Sequence, residues 1–132
     1  MSFLAGLYQL LSTAPTLVAL QGARVFPVLL PEDPVLPATT YRTVGGRQTP
    51  TLQTAGVQRR RVELDFRAHT PGAADQLREA TIAVLNMFHG ALPNGLIILS
   101  CQLLQPIDDF DGDARQFRFG AEFYFEFIIP DA

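Results

Sequence analysis

A chain of 132 residues, 48% of them hydrophobic, is long enough for one domain with a true core, so disorder is not the expectation. Its net charge of -3 argues against general nucleic-acid binding, which needs a basic surface. All ten basic residues are arginine, and the single cysteine, Cys101, excludes an internal disulfide framework.

The first segment, MSFLAGLYQLLS, places Phe3, Leu4, Leu7, Tyr8, Leu10 and Leu11 roughly on one helical face, with Ser2 as N-cap. It lacks the basic start of a secretory signal and is too short to span a membrane, so a cytoplasmic origin without a membrane anchor is expected. Pro15 ends or interrupts this helix. Thr16 then caps a short helical turn through Leu20, which Gly22 stops. Arg24–Leu30 reads as a strand, with Pro27 confining it to an edge or a bulge. A proline-punctuated connection, Pro31–Pro37, leads to a β-branched strand, Ala38–Val44.

Gly45–Gly56 is polar and Gly-rich, and reads as a mobile loop or arm. Val57–His69 alternates: Val62, Leu64, Phe66 and Ala68 face inward, and Arg61, Glu63, Asp65, Arg67 and His69 outward. Loop and flanking strands together make one long hairpin. Thr70-Pro71 is a helix start, and the helix is expected to run to His89 and end at Gly90, burying Leu77, Thr81, Val84, Leu85 and Phe88. Leu96–Leu104 is an apolar strand, and Pro106–Ala114 an Asp- and Gly-rich turn. Arg115–Ile129 closes a second hairpin. It sets Phe117, Phe119, Phe123, Phe125 and Phe127 toward the core, and Arg118, Glu122, Tyr124 and Glu126 in a polar row on the other face. Two hairpins and a central helix imply an α+β fold: a mainly antiparallel β-sheet with the N-terminal and central helices on one face, in a single domain over residues 1–132.

Chemistry is scarce. Asp108, Asp109, Asp111 and Asp113 suggest a calcium loop, but position 107 is Ile and position 118 is Arg where a ligating Glu belongs, so a solvated turn is expected and no metal. His69 and His89 fit no metal-ligand spacing, Ser100 and Cys101 lack a nucleophile's sharp glycine turn, and no phosphate-binding glycine motif is present. Neither an enzyme nor a cofactor is expected. Arg59, Arg60 and Arg61 form a compact basic run on a strand, with Arg59 and Arg61 on one face and Arg60 on the other. They read either as a solvated strand or as partners for acidic groups on another subunit.

The order and spacing of four pieces resemble the small tail-completion or tail-terminator proteins of long-tailed bacteriophages and gene transfer particles. These are the apolar N-terminal helix, LPATTYRTVGG (Leu36–Gly46), RRRVELDFRAHTPGAADQLREA (Arg59–Ala80) and DDFDGDARQFRFGAEFYFEF (Asp108–Phe127). The resemblance implies a virion structural protein, assembled in the bacterial host cytoplasm. It would form a ring, usually a hexamer, that caps the tail tube and offers a joining surface to the head connector or stopper. DNA would pass through the lumen without specific binding. Arg42, Gly45, Gly46, Arg47, Gln48, Arg59, Arg60, Arg61, Arg118, Glu122, Tyr124 and Glu126 are then the expected interface residues. The alternatives are another neck or tail tube subunit, and a small-ligand module with its pocket between the Pro71–His89 helix and the sheet.

Overall fold

The structure, a computed structural model, describes residues 2–32, 34–44, 57–112 and 115–130. Helix α1 (Phe3–Thr13) begins where the Ser2 hydroxyl accepts the amide of Ala5. Pro15 starts a second helix, α2 (Pro15–Gln21), bent 75° from the first. Thr16 therefore lies inside α2 rather than capping it, because Pro15 occupies the first-turn position that needs no amide. Gly22, with φ +60°, ends α2 as expected. No single helix is long and apolar enough to cross a membrane. The bent pair would pass by length and composition, but it buries Phe3, Leu7, Leu11 and Leu17 in the core.

The six strands are β1 (Val25–Pro27), β2 (Ala38–Thr43), β3 (Val57–Ala68), β4 (Gly90–Ala91), β5 (Ile97–Asp111) and β6 (Gln116–Ile128). They form one sheet in the order β1-β2-β3-β6-β5-β4. All neighbours are antiparallel except β1 and β2, which run parallel. The fold is α+β, and both expected hairpins, β2–β3 and β5–β6, are present. The β3–β6 pairing joins them in unbroken register from Val57↔Ile128 to Ala68↔Phe117. That places β6 at the centre, flanked on both sides, which is why its inner face is so aromatic.

Three boundaries differ from the sequence reading. The first strand is only Val25–Pro27, because Pro27 has no amide and Val28 turns the chain at φ +64°. Helix α3 (Pro71–Leu85) starts at the expected Thr70 cap but stops four residues before His89. There the amide of Met87 donates to the Cys101 carbonyl and the Asn86 side chain accepts the amide of Leu103, so β5 captures the end of the helix. Phe88 still packs against the core from the loop. Lastly, Pro106–Asp111 is strand rather than turn: β5 pairs with β6 as far as Asp111↔Gln116.

Side-chain alternation sets the layers. Val62, Leu64, Phe66 and Ala68 of β3 and Ala121, Phe123, Phe125 and Phe127 of β6 are buried. Phe3 of α1 stacks on Phe127 and meets Phe125 edge to face, with ring centroids 4.6 and 5.0 Å apart. Leu77, Thr81 and Leu85 of α3 are buried as expected. Gly6 lies against Asn94, and a Cβ there would sit 2.6 Å from the Asn94 Oδ1. Asn94 in turn donates to the Ser2 carbonyl at 2.8 Å, which ties the start of α1 to the turn before β5. Phe117 and Phe119 are only half-buried, contrary to the expectation of five core phenylalanines. They lie beyond the helical cover, where Phe117 meets Phe110 at 4.8 Å and Phe119 lies under the Arg78 guanidinium at 4.9 Å. Cys101 is buried, and burial pushes its thiol up to about 12, as suits a small core residue.

Candidate functional site: a charged outer face and an open sheet edge

Register places the outward side chains of β2, β3, β6 and β5 on one face. The Phe-rich strand brings Arg118, Glu122, Tyr124 and Glu126 there as the alternation implies, and Arg42, Arg59 and Arg61 join them. Arg60 points to the opposite face, with its guanidinium 5.8 Å from the centroid of the Phe3 ring. Gly45, Gly46, Arg47 and Gln48 lie outside the described residues.

The arginines of this face are engaged within the chain. Arg42 bonds Glu63 at 2.9 Å, Arg59 bonds Glu126 at 3.3 Å, Arg61 bonds Glu122 at 2.5 Å, and Arg118 bonds Asp109 at 2.8 Å. The lattice has a reason. Glu63 and Glu122 stand directly opposite each other across β3 and β6, and like charges in that position repel. Each is neutralised by an arginine from its other side, and Glu122 also accepts from Gln105 at 3.0 Å. Glu122 is 6% exposed, so its charge needs these bonds. Individually the exposed pairs contribute little, on the order of 0–1 kcal/mol each. Their effect is to fix the orientation of side chains on a face that no other described element covers.

Asp65 is the exception. It has no ion-pair partner among the described residues. Burial first and Glu63 second push its carboxyl above the usual range, against the opposing pull of Arg118, Arg67 and Arg42. Its Oδ1 lies 3.0 Å from where a Cβ at Gly120 would sit, so only glycine leaves it this space. The folded state thus holds the Asp65 proton more tightly than the unfolded chain does. Ionised Asp65 therefore costs stability above its folded pKa, and the cost fades as pH falls through that value. Asp65→Asn is expected to melt at the same or a higher temperature than wild type near neutrality, with the difference shrinking in mild acid; a lower neutral melting temperature would contradict this.

The acidic segment is divided between two faces. Asp108 points inward and binds Arg78 of α3, while Asp109 points outward to Arg118. Among the described residues no group of three or more His, Cys, Asp or Glu side chains is arranged to hold a metal. The Asp109 carboxyl is held below the usual range by the amide of Phe110 and then by Arg118. Arg78, only 9% exposed, also bonds Asp75 at 2.9 Å. Burial works against its charge, but the two carboxylates outweigh this and raise its pKa. Sequence periodicity missed Arg78, since it sits beside Leu77 at the margin of the apolar stripe. The partners Glu63, Gln105 and Asp109 were missed because their contacts span strands.

The second feature is the free edge of β5. Its apolar run breaks alternation because the register shifts twice, between Ile98 and Ser100 and between Leu103 and Gln105, and each shift leaves a leucine, Leu99 or Leu104, exposed. β4 covers only Ile97 and Ile98, and from Leu104 to Asp111 no described strand flanks the outer side of β5. A shallow pocket of about 210 Å³ lies beside it, between the end of α3 and β5, lined by Met87, Phe88, His89, Leu99, Ser100, Cys101 and Gln102. It is open to solvent rather than set between helix and sheet.

Comparison with known proteins agrees with this architecture. The model of the family described as tail completion protein gp17 matches residues 5–127. Among solved structures, a chain from the virion of a native gene transfer agent particle superposes with a TM-score of 0.78 at 16% identity, over 97% of this chain and 96% of that one, a likeness of fold. No curated protein matches. With 123 consecutive residues matched, this chain belongs to the tail completion protein gp17 family and is a structural protein of the bacteriophage tail.

Proposed function

We propose that this protein acts as a single domain that forms a ring at the head-proximal end of the tail, ends tube polymerisation and offers the surface to which the head connector joins. The match to a tail completion family across residues 5–127 carries the reading. Two physical features support it. The charged face presents Arg42, Arg59, Arg61, Arg118, Glu122, Tyr124 and Glu126 in fixed positions with no covering element, as a subunit contact or lumen wall requires. The Nε atoms of Arg61 and Arg67 on that face are buried without a partner among the described residues, a deficit that a neighbouring molecule can supply.

Arg60, Gly45, Gly46, Arg47 and Gln48 belong to the same proposed interface, at the β2–β3 end of the sheet. The partners are further copies of this chain in a probable-hexamer geometry of head-to-tail contacts, the tube protein below and the connector or stopper above, with DNA passing through the lumen unbound. No step in this role needs a cofactor or bond chemistry, so the role is structural rather than enzymatic. The test is where an antibody to this chain binds on particles: one site per tail supports the ring, and label along the shaft supports a tube subunit.

A further inference from the structure

The two edges of the sheet are unlike. The β1 edge is blunted from within: the Val25 amide donates to Ala23, Pro27 has no amide, and the Pro27 carbonyl accepts from Leu29. The β5 edge is long and open beyond Leu103, and it carries Leu104, Ile107 and Phe110 at 46%, 38% and 51% exposure. A long, exposed, apolar edge is a template for another strand. Its charge is one-sided, since Pro106–Ala114 holds four aspartates and no basic residue. The complementary segment is at the other hairpin: Thr43–Arg61 holds four arginines and no acidic residue.

These two segments of one molecule cannot meet. Val57 lies beside Ile128, whereas Asp109 lies beside Arg118, ten residues away along β6 and so about 34 Å distant. The connection from Val44 to Gly56 is tied to the sheet at both ends, and a chain of that length folded back on itself reaches at most about 22 Å.

We propose that the open edge of β5, Leu104–Asp111, receives the connection between β2 and β3 of a second copy of this chain. The extended main chain adds to the sheet, and Arg47 and Arg60 approach the aspartates. Donor and acceptor are different surfaces at opposite ends of the molecule, so each copy gives one contact and receives one, as closure into a ring demands. This deepens the ring reading and rests on it.

Cysteine cross-linking on assembled particles tests the pairing, using full-length Gln48→Cys, Phe110→Cys and the double variant. Leu104→Cys serves in place of Phe110→Cys should that variant fail to assemble. The expected result is a ladder of cross-linked multimers from the oxidised double variant and none from either single variant. A dimer from Phe110→Cys or Leu104→Cys alone would mean that the edge pairs with itself, and overturns the proposal. So does a double variant that forms rings without cross-links or links to another tail protein, which leaves the ring reading standing. Particles in which copies of this chain never touch one another overturn both.

Discussion

Phe125→Ala is expected to lower the unfolding free energy by about 3–5 kcal/mol, the range for truncating a buried aromatic. Phe125 is 1% exposed and central in the sheet, between Arg60 of β3 and Cys101 of β5. It also supports Phe3, whose ring meets it edge to face, so the deletion loosens the seat of α1 as well as opening a cavity. Phe117→Ala provides the contrast. Although it has the same parity on the same strand, it is half-buried against the exposed Phe110, and its loss is expected to cost about 1 kcal/mol. Urea unfolding checks both: the midpoint falls much further for Phe125→Ala, with little change in slope. Equal costs would contradict the placement of α1 over the distal half of β6.

The second large effect concerns assembly. Deleting residues 47–54 is expected to leave a folded protein that neither forms rings nor joins heads to tails. The deletion spares the register of β2 on β3, which runs from Ala38↔Arg67 to Thr43↔Val62, so the hairpin keeps its pairing. What it removes is the segment proposed to dock on a neighbour. Ordering that segment on contact costs entropy that the new contacts must offset. Circular dichroism and solution mass establish that the variant folds, and complementation counts joined particles. Normal tails that still bind heads would contradict the role assigned to the segment.

Much of this molecule was legible in its sequence, for identifiable reasons. The alternation of Val62–Ala68 and of Phe117–Ile128 survives in the structure because both strands lie in regular register between two neighbours. The Ser2 and Thr70 caps were legible because capping is local. Failures occurred where distant segments intervene. Asn86 and Met87 leave the helix for β5, a choice made by Cys101 and Leu103. The aspartates after Pro106 read as a turn by composition, yet β6 holds them in a ladder, and Arg78 and Arg118 take Asp108 and Asp109 on opposite faces. The apolar Leu96–Leu104 run hid two bulges, which no periodicity count resolves. On the outer face, composition supplied the arginines, but only the register shows which glutamate each one neutralises.

Immunogold labelling of intact particles, with an antibody raised to this chain, tests the central claim most directly. A ring-forming terminator predicts a single cluster of label per tail, at the end nearest the head, on every mature particle. Label distributed along the shaft, at the distal tip, or absent from assembled tails would contradict it.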